Sequence, residues 1–137
     1  MTALRIRTPT ANGLRVIFFD RVPGRWGLPP QVLGAVIGSE VPRAVVYVFY
    51  RNVVHELGHT VATLTRAAVD VAKALAHVIA HELVHAYAPG HRHRGYGLMA
   101  PRLGPEALLR RSASLDRKCL NALLEGLAAA NSGSGIK

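Results

Sequence analysis

Two stretches of the chain place a histidine, a glutamate and a second histidine at positions i, i+1 and i+4: His55-Glu56-Leu57-Gly58-His59 and His81-Glu82-Leu83-Val84-His85. On a helix, histidines four apart share one face and can both bind a single Zn²⁺. The glutamate then lies beside the metal, placed to take a proton from zinc-bound water. Zinc brings that water's pKa toward about 7, and the glutamate completes the activation. A structural zinc usually has four protein ligands, whereas a catalytic one keeps a position for water. The pattern therefore calls for a third protein ligand.

The second copy has candidates for that ligand. After His85 come Pro89-Gly90, a chain reversal, and then His91 and His93. After His59 the chain runs from Thr60 to Asp70 with no histidine and no turn residue, so the second copy is favoured. His55 and His59 then fit the pattern by chance, as surface or partly buried side chains. His77, one turn before His81 on the same face, packs there or supports a ligand from behind. Two other readings stay open. Glu106 or Glu125 on a downstream helix could be the third ligand, as in gluzincin-type enzymes, or the site could be a non-catalytic zinc centre in a regulatory or interaction protein.

The elements that must position these residues can be read in outline. Leu4–Arg7 and Leu14–Phe19 are short β-type runs separated by an Asn12-Gly13 turn signal. Val22–Pro30 is too rich in Pro and Gly for regular structure. Gln31–Ile37 is read as one or two helical turns, and Ala44–Tyr50, apolar throughout, as an interior strand. Residues 52–65 are helix or an irregular connection, because β-branched residues pull against helix there. Ala67–Ala88 is a strong helix stopped by Pro89-Gly90, followed by a basic, Gly-rich loop to Gly97. A last helix is expected from Pro105 to about Ala130, with residues 131–137 as a flexible tail. The fold class expected is α+β or α/β: one domain over residues 1–130, with a small mixed sheet, an active-site helix and a C-terminal helix.

Bulk properties fit this outline. A chain of 137 residues, half hydrophobic and 18% charged, suits one globular domain. The single cysteine, Cys119, excludes an internal disulfide and a Cys-rich zinc cluster, and is read as a small buried hydrophobe. The net charge of +9 raises a nucleic-acid partner, but the basic residues are spread along the chain without an aromatic-rich basic strand. A peptide or protein substrate is the partner expected. No apolar run is long enough to span a bilayer, and Met1–Arg7 lacks the apolar stretch of a signal peptide. The location expected is cytoplasmic, with secretion open if the N-terminus is truncated. Oligomeric state is not legible.

The stretch from His81 to His91 resembles the metzincin zinc signature HExxHxxGxxH, with Ala88 where that family has glycine. Gly97-Leu98-Met99-Ala100-Pro101 resembles its Met-turn. The same register is similar to that of small bacterial metzincin-like peptidases, which carry a Pro-containing turn, a His and then Gly-[Ile/Leu]-Met. That resemblance implies a zinc peptidase with His81, His85 and His93 as ligands, His91 as the competing third ligand, Glu82 as the catalytic base and Met99 as an apolar floor. Tyr87 and Tyr96, near the motif, are read as packing residues.

Overall fold

β-Branched and aromatic residues build the sheet. In the computed structural model of the chain, residues 4–6, 15–38, 44–59, 68–88, 90, 93, 98–99, 101–109 and 117–134 are described. Four strands, β1 (Leu4–Ile6), β2 (Arg15–Phe19), β3 (Gly34–Ile37) and β4 (Val45–Phe49), form one sheet in the order β1-β2-β4-β3. β2 and β4 run parallel, while β1 and β3 are antiparallel to their neighbours, so the sheet is mixed as expected. The Asn12-Gly13 turn lies outside the described residues.

β4 is interior to the sheet, and the alternation of its side chains assigns its two faces. Val46 and Val48, both fully buried, join the core with Ala74 and Val78 of α2 (Ala68–Tyr87). Burying such a side chain contributes about 1.5–3 kcal/mol. Tyr47 and Phe49 point the other way, where Tyr47 stacks on Phe19 at 5.3 Å and Trp26 meets Tyr47 edge-on at 4.7 Å. Trp26 comes from a single 3-10 turn, Gly24–Trp26, within the otherwise irregular Pro- and Gly-rich segment.

Helix α1 (Tyr50–Glu56) follows β4 directly. Its first turn is tied to the end of β2 by Arg51, whose Nε and Nη2 donate to Asp20 Oδ1 and Oδ2 at 3.1 and 3.0 Å. This two-pronged geometry is the strong form of the pair. Asn52 Nδ2 donates to the Pro30 and Val32 carbonyl oxygens at 2.8 and 2.7 Å, fixing the chain that enters β3. Helix α2 matches the expected span within one residue at each end and crosses beneath the sheet. Cys119 on the last helix, α4 (Arg117–Ser134), is buried against Val84, Ala88 and Met99, as a small hydrophobe would be.

Three local expectations are corrected. Residues 34–37 form a strand, not a helical turn, because Gly34–Ile37 can complete the ladder beside β4 from Val48 to Val45. Such pairing outweighs local propensity. The C-terminal helix is not continuous from Pro105: α3 (Pro105–Leu108) is capped at Leu109, and α4 is a separate element, described over Arg117–Ser134. Residues 110–116 lie outside the described part. Finally, α4 runs to Ser134, so residues 131–134, read as tail, continue the helix. No helix among the described residues is long and apolar enough to cross a membrane.

Candidate metal centre

The two copies of the histidine-glutamate motif fold differently, and one glycine accounts for it. In the first copy α1 stops at Glu56, and Gly58 adopts a left-handed φ of 78°. Glycine accepts that conformation without steric penalty, which makes it a helix stop. His59 therefore leaves the helix axis and cannot share a face with His55. In the second copy Leu83 and Val84 keep the helix intact, and His81 and His85 lie on one face of α2.

His93, from the chain beyond the helix end, completes a cluster. Ligand atoms of His81, His85 and His93 all lie within 4.8 Å of one another. His85 Nε2 is 3.1 Å from His81 Nε2 and 2.9 Å from His93 Nε2. Two nitrogens on one tetrahedral zinc, each ~2.05 Å from it, stand about 3.3 Å apart, so the spacing is close to that of a shared ion. His91 lies outside the described residues, as do Pro89, Tyr96 and Gly97. Burial is graded across the three: His81 is buried, His85 half-buried and His93 exposed.

Protonation favours a cation as well. His81 Nδ1 donates to the Leu98 carbonyl oxygen at 2.7 Å, which leaves the neutral ring's Nε2 lone pair facing the cluster. Such a hydrogen bond behind a ligand fixes its tautomer and ring orientation. Burial pushes the His81 pKa down, the Leu98 bond opposes this, and His93 adds to the lowering. A neutral imidazole is the form that binds metal. His85 Nε2 faces both other Nε2 atoms, and one cation could satisfy all three better than any placement of protons. The three histidines could thus hold a metal ion.

Glu82 sits on the same turn, 7% exposed. Burial pushes its carboxyl up to about 7. It lines a cleft of about 460 Å³ together with His81, Val78, Gly34 of β3 and Arg102. His55 and Glu56 of the first copy line this cleft too, so α1 supplies part of its wall, and among the described residues they join no metal-ligand cluster. That placement was missed from sequence, although Gly58 inside the first copy signalled the helix break. Met99 is 1% exposed and packs with Val84, Ala88, Leu98 and Cys119.

The remaining candidates stand apart. Glu106 and Glu125 are exposed, and neither joins the histidine cluster. His77 is buried and donates from Nδ1 to the Lys73 carbonyl oxygen at 2.8 Å, a bond within its own helix. Tyr87 is half-buried and packs against the main core. No protein family, curated protein or solved structure matches the chain.

Proposed function

We propose that the chain is a zinc-dependent peptidase of metzincin-like arrangement, with His81, His85 and His93 as metal ligands and Glu82 as the proton-transfer group. The observation that carries this reading is the convergence of three imidazole nitrogens beside a buried glutamate, with His81 and that glutamate lining a cleft that reaches the edge strand β3. Three nitrogen ligands with room for water is the catalytic pattern for zinc. A structural zinc centre would recruit a fourth protein ligand and would need neither a desolvated carboxylate nor a cleft.

β3 ends the sheet, with β4 as its one partner among the described residues. A peptide can add to that free edge as a further strand, which would lay its backbone across the cleft. Zinc bound at the three histidines would supply a Lewis acid for the scissile carbonyl and lower the pKa of a water. Glu82 takes the proton released as hydroxide adds to the carbonyl carbon. As the C–N bond breaks, Glu82 delivers that proton to the amine nitrogen, so one water is consumed. Burial raises the Glu82 carboxyl in the metal-free protein, which strengthens it as a proton acceptor, while a cation at the histidines would pull it back down and ease return of the proton. Leu98 holds the Nδ1 proton of His81 throughout.

Incubating the zinc-loaded chain with a mixed-sequence peptide library, alongside Glu82→Gln, tests the proposal. Both proteins should bind zinc, and only the wild type should cleave. Zinc binding with no cleavage by either protein would favour the non-catalytic reading, and equal cleavage by both would remove Glu82 from the chemistry.

A further inference from the structure

A glycine in a strand costs conformational entropy and contributes no side chain to packing, and Gly34 opens β3. Gly34 on β3 does not have the positive φ that would demand glycine; Gly27, Gly38 and Gly58 do. Space demands it instead. A Cβ at position 34 would lie 3.0 Å from Glu82 Cγ, 3.0 Å from Val78 Cγ1 and 3.1 Å from the Tyr47 carbonyl oxygen. The last is backbone of the sheet, held by the β3–β4 ladder. The two side chains from α2 would therefore have to give way, by a few tenths of an ångström.

We infer that Gly34 is a positioning residue for Glu82: its missing side chain sets how close the glutamate stem lies to the edge strand, and so where the carboxylate stands relative to the three histidines. The inference rests on the reading of Glu82 as the proton-transfer group. Among the described residues nothing hydrogen-bonds the Glu82 carboxylate, so the placement of its stem depends on packing against Gly34 and Val78. The same contact joins catalysis to binding, since β3 is the strand on which a peptide would pair. Substrate backbone and proton-transfer group are thus both referenced to one residue.

Gly34→Ala should leave zinc affinity and KM within about 3-fold of wild type and lower kcat roughly 10-fold or more, because small misplacements of a reacting group act on turnover. Adding Val78→Ala opens space on one side of the new methyl, into which it can shift away from Glu82 Cγ, so Gly34→Ala/Val78→Ala should recover most of the loss. A readout apart from turnover is the paramagnetic NMR shift of the Glu82 γ-protons with Co²⁺ at the histidines. That shift should move in the single variant and return in the double. A double variant that folds and binds metal but stays as slow as the single overturns the inference, as does an unmoved γ-proton shift. If the single fails to fold and the double regains both fold and turnover, the inference stands; if neither folds, Gly34 serves the fold alone and the inference fails. A wild type that binds Co²⁺ but cleaves nothing would sink the peptidase reading, while the γ-proton shifts would still decide the role of Gly34.

Discussion

Replacing Glu82 with glutamine in the metal-free protein should stabilise the fold, and do so more strongly as the pH rises. Glu82 is 7% exposed, and its carboxyl is pushed from 4.5 to about 7 by loss of water. In the unfolded chain the group ionises near 4.5; in the fold it keeps its proton until about 7. Stability contributed by the neutral form is therefore fully present below pH 4.5 and is lost as pH rises toward 7. At 1.36 kcal/mol per pKa unit the loss is about 3 kcal/mol. Glutamine does not titrate, so the stability difference between variant and wild type should grow by about that amount between pH 4.5 and 7.5. The His81 pKa is lowered by burial, which costs stability as pH falls below 6.5, but this occurs in both proteins and cancels in the difference. Urea unfolding across this range, with a chelator present, measures it. A difference that stays constant with pH would refute the account of Glu82 as a desolvated carboxyl. Saturating zinc should shrink the difference above pH 7, since a nearby cation offsets the cost of the buried anion.

Chelator competition should show that His93→Ala loses about 100-fold or more in zinc affinity, whereas His55→Ala and His59→Ala stay within about 3-fold. A large loss at His55 or His59 would restore the first copy as a ligand source. Asn52→Ala removes both hydrogen bonds to the Pro30 and Val32 carbonyl oxygens and should cost about 1–3 kcal/mol in chemical unfolding, with KM raised more than kcat is lowered. Gly126→Ala would drive a methyl into the Tyr87 carbonyl at the C-terminal end of α2. It should lower stability by about 1–3 kcal/mol, seen as a drop in Tm, by forcing α4 away from α2.

What could be read from the residues was whatever short-range chemistry decides. Helix α2 announces itself through Ala, Leu and Val ended by Pro89-Gly90, and two histidines on one helical face follow from the 3.6-residue period. β4 is apolar on both faces because both are covered, by α2 on one side and the Trp26 cluster on the other. The residues misread or missed are those whose state is set across the sheet. Gly34–Ile37 becomes a strand only because β4 offers it a ladder. Asn52 looks like an ordinary helix residue until Pro30 and Val32 lie opposite it. His55 and Glu56 look like a competing metal motif until Gly58 ends their helix and both are seen to line the cleft. Gly34 itself was a signal, since glycine inside an apolar run often marks a close approach.

The graded burial of the three histidines has a kinetic consequence. His81 and His85 are set into one rigid helix, and His81 is further locked by Leu98, whereas His93 reaches the cluster from beyond the helix end and stays exposed. An ion held this way would sit on a two-toothed base set into one helix and be closed in by a third ligand open to solvent. Release would begin at that exposed ligand, leaving the ion on two histidines where water can displace it while the fold stays intact. Exchange with free metal should then proceed far faster than global unfolding, and its rate should answer to changes beside His93 more than to changes in the core. The protein would be able to lose and regain its ion without ever unfolding.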